Sequence, residues 1–178
     1  VSEVREVALK DGKSGPLVFV LVVHELSGPG GVLLREEHDI VYREAPAPGA
    51  PPAKSAPAPQ DAAWTRTIVP DPVMLFRYSA LTFNGHRIHY DQPYATKVEG
   101  YPGLVVHGPL IATLLMDLIR RERPEARLSR FAYRAVSPLF DTAAFAVEGN
   151  PSPDGRSAAV WARGPGGALA MTGDATFA

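Results

Sequence analysis

Between Thr82 and Asp91 the sequence reads TFNGHRIHYD, and most of its side chains can exchange protons or hydrogen bonds. The chain has five His, and two of them, His86 and His89, stand here at i and i+3. An imidazole titrates near neutral pH, so it can both take and give a proton under working conditions. Asn84 offers an amide, which donates and accepts hydrogen bonds but carries no transferable proton. His86, His89 and Asp91 also have the types of metal ligands, but a zinc site needs three or four and no further ligand cluster is evident. Each residue has a plainer reading as well. His89 could be a hydrogen-bonded structural histidine, and Asn84 could bond its own backbone in a loop. His107 could pack or help cap a helix, and His24 and His38 lie in strand patterns that suit structural roles.

The elements around this stretch decide what it can reach. Asp71 and Pro72 are an N-cap and first-turn pair for a short helix, DPVMLFRYSAL, immediately before it. Asp91 is a second N-cap, opening DQPYATKVE directly after. Gly108 and Pro109 then start the longest helical candidate, GPLIATLLMDLIRRER, and Pro124 stops it. From Leu110 to Ile119 that helix is apolar on nearly every side, so it belongs inside the fold. TRTIV reads as a strand ahead of these helices, and LSRFAYRAV, AAFAVEG, SAAVWARG and ALAMTGDATF read as four after them. Strands do not alternate with helices. The expectation is therefore an α+β architecture, with an antiparallel sheet wrapped around one apolar helix.

Residues 1–44 differ from the rest. VREVALK, LVFVLVVHEL and VLLREEHDIVY are β-forming runs divided by Gly- and Pro-rich turns. The segment Ala45 to Ala62 holds six of the 18 prolines and reads as an extended linker. The expected units are thus 1–44, the linker 45–62, and 63–178. The GPGG sequences at 28–31 and 164–167 suit hairpin turns better than phosphate loops.

Bulk composition removes several classes of function. Net charge is -1, so there is no basic field for nucleic acid. No apolar run approaches a membrane span. Without Cys there is no disulfide, thiolate nucleophile or thiolate-bound metal, a composition that fits a reducing cytosol. The chain opens on Val1, where a processing or truncation point is expected.

The run YSALTFNGHRIHYDQPYA followed by EGYPGLVVHGPL, Tyr78 to Leu110, resembles the active-site region of MaoC-like acyl-CoA hydratases and dehydratases. It is most similar to the branch of mesaconyl-CoA hydratase and type 2 hydroxyacyl-thioester dehydratases, and YRAVSPLFDTAAF extends the likeness beyond the helix. The resemblance implies a hot-dog fold and reversible hydration of a short acyl-CoA thioester. It implies His89 as the proton-transfer residue, Asn84 where the wider family has Asp, and Gly108 as an oxyanion donor through its amide. No cofactor is implied, since coenzyme A arrives with the substrate. In that branch two hot-dog units stand in tandem, the first degenerate. Residues 1–44 look like the closing strands of such a first unit, so a fragment, or a chain lacking a stretch, is expected. A homodimer or pairing with another hot-dog unit would cover the edge so left.

Arg77, His86, Arg87 and Arg134 are the candidates for holding the substrate, through coenzyme A phosphates or a free acyl carboxylate. Arg120 to Arg123 read as cations at a helix C-terminus. Two other functions compete. A hot-dog thioesterase would need a carboxylate on the long helix, where Asp117 is the candidate, more than two turns from the helix start. A non-catalytic subunit would need neither Asn84 nor His89.

Overall fold

The computed structural model describes residues 1–12, 15–44 and 56–178 of the chain. It divides into two compact units, Val1–Pro52 and Ala53–Ala178. Most of the expected linker, residues 45–55, lies outside the described residues.

The first unit is a three-stranded antiparallel sheet in the order β1 (Ser2–Gly12), β2 (Gly15–Gly28), β3 (Gly31–Arg43). The first GPGG is the β2–β3 hairpin turn, closed by the Gly28–Gly31 pair with Gly31 at φ +109, where a side chain would be strained. β2 is the middle strand and contains the buried Val23. Val4, Val7 and Leu9 on β1 and Val32, Leu33 and Tyr42 on β3 remain exposed. His24 and His38 lie with their rings 6.2 Å apart, and the Ser2 hydroxyl is 2.7 Å from His24 Nδ1.

The second unit contains β4 (Trp64–Ile68), α1 (Pro72–Leu81), α2 (Gln92–Lys97), α3 (Gly108–Glu122), β5 (Leu128–Ala135), β6 (Phe145–Pro151), β7 (Ser157–Arg163) and β8 (Leu169–Phe177). Its five strands form one antiparallel sheet in the order β4-β6-β7-β8-β5. The second GPGG joins β7 to β8, as a turn. Ala56 and Ala58 are tied to the start of β8: the Leu169 amide donates to Ala56 O at 2.8 Å and the Ala58 amide to Gly167 O at 2.9 Å.

Helix α3 lies against β4, β6, β7 and β8. Leu110, Ile111, Leu115, Leu118 and Ile119 recur at the helical period and are buried, which turns the apolar face of the helix onto the sheet. They join Val147, Val160 and Met171 in one core. The other side is less covered than the composition suggests: Leu114 and Met116 are half-buried, and Thr113 and Arg120 are exposed.

Asp117 is held by an ion-pair cluster. Arg121 and Arg120 of the same helix and Arg66 of β4 all bond it, the Arg66 contact at 2.7 Å. Their guanidiniums, Arg121 foremost, pull its carboxyl down to about 2. A second carboxylate, Glu148 on β6, is buried and accepts from Trp161 Nε1 at 2.8 Å and from Arg163 Nε at 2.9 Å. These bonds, chiefly the one to Arg163, lower its pKa despite the burial.

Candidate active site

Two capped helices and a short turn present the motif. Asp71 accepts from the Met74 amide at 2.8 Å and starts α1, whose first residue is Pro72. Thr82 ends α1, and Phe83 takes φ 52, a left-handed conformation costly for an aromatic residue. The Asn84 backbone N–H, donating to Ser79 O at 2.9 Å, folds the chain back. A 3-10 turn, Arg87–His89, follows, and the Tyr90 hydroxyl donates to Gly85 O at 2.8 Å across the loop. Asp91 then caps α2 by accepting from the Tyr94 amide at 3.1 Å.

His89 is pinned from one side. Its Nδ1 is 2.7 Å from Val105 O, and the Val105 amide donates to Ile88 O at 3.0 Å. A carbonyl only accepts, so Nδ1 carries the hydrogen and, in the neutral ring, Nε2 carries the lone pair. Burial lowers the His89 pKa, more than the bond to Val105 raises it. The ring is therefore neutral at pH 7 with Nε2 able to accept a proton.

Val105 belongs to a connection fixed at both ends. The Val106 amide donates to Leu139 O at 2.8 Å, and the Leu104 amide donates to the Asp141 carboxylate at 2.8 Å. This connection delivers His107 and Gly108 to the start of α3. His107 is fully buried, and its ring stacks on that of His89, with centroids 3.7 Å apart and planes 17° apart. No side chain caps α3, so its first-turn amides keep their positive end uncovered. Gly108 lines a mostly apolar cavity of about 330 Å³ between the start of α3 and the Ala135–Leu139 segment. A Cβ placed on Gly108 would meet nothing within 4 Å, so a ligand can approach its backbone.

The structure thus brings the His89 ring against His107, the residue that precedes α3. His86 stands edge-on to His89 with ring centroids 5.5 Å apart, and is exposed. Asn84 is half-buried, and its Oδ1 accepts from the His86 amide at 3.0 Å, the local loop bond that its plainer reading describes. Its side-chain NH₂ makes no bond among the described residues. It lines a second apolar cavity of about 300 Å³ with Phe76, Ser79, Phe83 and Tyr90.

The arginines fall in two groups. Arg87 is committed locally: it pairs with Asp91 at 2.8 Å and lies 4.1 Å from the Tyr94 ring centroid. Arg77 on α1 and Arg134 on β5 are exposed and form no salt bridge among the described residues. His86, His89 and Asp91 do not converge as ligands, and no group of three or more His, Asp or Glu among the described residues could hold a metal ion. Asp117, the one helix carboxylate open to a thioesterase reading, is consumed by three arginines. Spacing alone did not reveal the roles of Ser79, Val105 O and His107. Their only signal was that Ser79 and His107 flank the motif within the same long run.

Known proteins resemble this chain along nearly its whole length. It is 48% identical over 169 residues, 95% of its own length, to the mesaconyl-C(4)-CoA hydratase of Chloroflexus aurantiacus. It spans 59% of that relative. A 73-residue stretch, 40% of the chain and 24% of the relative, is 48% identical to the mitochondrial hydroxyacyl-thioester dehydratase type 2 of Schizosaccharomyces pombe. Among solved structures, a MaoC-like dehydratase from Phytophthora capsici superposes with a TM-score of 0.71 at 15% identity, covering 99% of this chain and 63% of that one. Such a likeness shows the fold, the α+β hot-dog fold that the motif implies. No helix among the described residues is long and apolar enough to cross a membrane. Residues 1–141 match the family model of hydroxyacyl-thioester dehydratase type 2, and the chain belongs to that family.

Proposed function

We propose that this chain carries the catalytic site of a hydro-lyase that reversibly adds water to the α,β double bond of a short enoyl-CoA thioester. In hydration, Nε2 of His89 takes a proton from water while the water oxygen bonds the β-carbon. The electron pair of the double bond moves toward the thioester, and its oxygen becomes an enolate oxyanion facing the Gly108 amide. The same imidazolium returns its proton to the α-carbon, which regenerates the neutral ring and leaves the β-hydroxyacyl thioester. Asn84 orients the water or the acyl group through its side-chain NH₂. Arg77 and Arg134 are the exposed cations for coenzyme A phosphates, with His86 beside the ring. Arg87 serves chiefly to hold the turn, through Asp91.

The observation that carries this reading is the contact of the two imidazoles. Through it the His89 ring, whose Nδ1 is held by Val105 O, lies against the residue that precedes α3, a helix whose start no side chain caps. Preorganised amides at a helix start stabilise the charge that develops on an acyl oxygen. The similarity to a relative named mesaconyl-C(4)-CoA hydratase makes a small branched dicarboxylyl thioester the first substrate to try. We further propose that residues 1–44 are the closing strands of a degenerate first hot-dog unit, and that the chain works as a homodimer or paired with another hot-dog unit.

The test is incubation of the full chain with crotonyl-CoA and with the relative's substrate, following enoyl absorbance and free thiol together. Loss of enoyl absorbance without thiol release is expected. Thiol release with the double bond intact would indicate a thioesterase instead.

A further inference from the structure

We propose that His107 is a positioning residue for this site: locked by Ser79, its neutral ring lies flat against His89, fixes the plane of that ring and stabilises it while it holds the proton taken from water. This rests on the reading of His89 as the base.

The geometry around His107 restricts its protonation. His107 is 1% exposed. Its Nε2 lies 2.8 Å from the hydroxyl of Ser79, which is itself 5% exposed. Its Nδ1 is buried with no partner among the described residues. A doubly protonated ring would bury an unpaired N–H together with a full charge, an expensive arrangement. Of the two neutral forms, hydrogen on Nε2 pairs the donor with the Ser79 oxygen and leaves only a lone pair unsatisfied. Hydrogen on Nδ1 would strand a donor instead, the rarer defect in native interiors. His107 therefore carries its hydrogen on Nε2 and His89 on Nδ1, so the stacked rings hold opposite tautomers. Burial, together with the neighbouring His89, lowers the His107 pKa to about 4, consistent with a ring that stays neutral.

Neutrality gives the stack its use. A neutral π-face at 3.7 Å attracts an imidazolium, whereas a second imidazolium there would repel it. His89 can accept a proton because its neighbour cannot. Tyr78 stands edge-on to His107, with ring centroids 4.9 Å apart. The arrangement begins on α1, three residues before the motif: Ser79 is fixed by its helix and sets the His107 tautomer, and His107 sets the plane of His89.

Two measurements on the full chain test this. The first needs no activity. Nitrogen NMR of the imidazoles at pH 7 should find hydrogen on Nε2 of His107 and on Nδ1 of His89, and Ser79→Ala should disturb the His107 signal. Hydrogen on Nδ1 of His107, or a doubly protonated ring, would overturn the proposal. The second compares His107→Ala with His107→Phe on crotonyl-CoA or mesaconyl-CoA, with thermal unfolding recorded for both. The alanine variant should lose about 10- to 100-fold in kcat with little change in KM, because the base is free to tilt. The phenylalanine variant, which restores a flat neutral ring, should recover most of that loss. Alanine at wild-type kcat, or a phenylalanine variant no better than alanine while still folded, would overturn it. His89→Ala run in parallel separates the two readings. If it too turns over normally, the site assignment has failed; if it alone is inactive, only the role of His107 has.

Discussion

At the level of single residues, hydrogen bonding to the backbone determines which nitrogen of His89 carries the hydrogen. The bond from Nδ1 to Val105 O leaves Nε2 free, and burial keeps the ring neutral. Hydration needs that neutral form. Since the His89 pKa lies below the ordinary 6.5, the acid limb of kcat/KM should fall below pH 6.5, and activity should decline only as pH drops through the lowered value. A pH profile with a short enoyl-CoA checks this, and a limb above pH 6.5 would count against it. Asn84→Asp should retain turnover within about tenfold, since a carboxylate there can take over proton transfer as in the wider family. His89, Asn84 and Gly108 can be named as candidates from the motif alone. His107 and Ser79 were not legible because their meeting with His89 depends on how α1 and the Leu104–Val106 connection fold back, and nothing in residue type or spacing encodes that.

Among the elements, α3 does two separable jobs. Its apolar face supports the sheet and its uncapped start faces a cavity. Leu115, fully buried at the helix centre, should cost about 2–5 kcal/mol of stability when truncated to Ala, read from denaturant unfolding. Gly108→Ala should behave in the opposite way. Its methyl enters open space, so stability should stay within about 1 kcal/mol of wild type. Turnover should nevertheless drop by about 10²-fold, because the methyl occupies the approach to the amide and displaces the thioester. Equal losses of stability and activity would show that Gly108 is structural. Gly103 makes the contrast, since a Cβ there would collide with the Asp141 carboxylate that pins Leu104. Every strand and helix named from the sequence is present, because Asp caps, Pro at first turns and Gly-rich hairpins act within a few residues. Strand order β4-β6-β7-β8-β5 was beyond reach, being set by contacts distant in sequence.

For the whole molecule, buried histidine links function to acid stability. His107 binds a proton at about 4 when folded and near 6.5 when unfolded, so the unfolded chain binds more protons between these values. The contribution of His107 to stability is complete above pH 6.5 and is lost as pH falls toward 4. Asp117, at about 2 against an ordinary 3.8, keeps its contribution until still lower pH. Thermal unfolding from pH 7 to pH 4 should therefore show a steady decline that His107→Phe lessens, the share due to His89 remaining. The division between the units, at Pro52 and Ala53, falls inside the proline-rich segment 45–62. The exposed apolar side chains of β1 and β3 were not, because strand patterns do not say which face finds a partner. Such edges pair readily, and light scattering on the full chain should give a mass above that of one chain.

The most direct measurement is the turnover of a short enoyl-CoA by wild type and His89→Ala, with both confirmed to be folded. A loss in kcat of about 10²–10⁴ is predicted on the proposal that Nε2 of His89 handles the proton in both directions. A folded His89→Ala enzyme that hydrates the thioester at the wild-type rate would contradict the account.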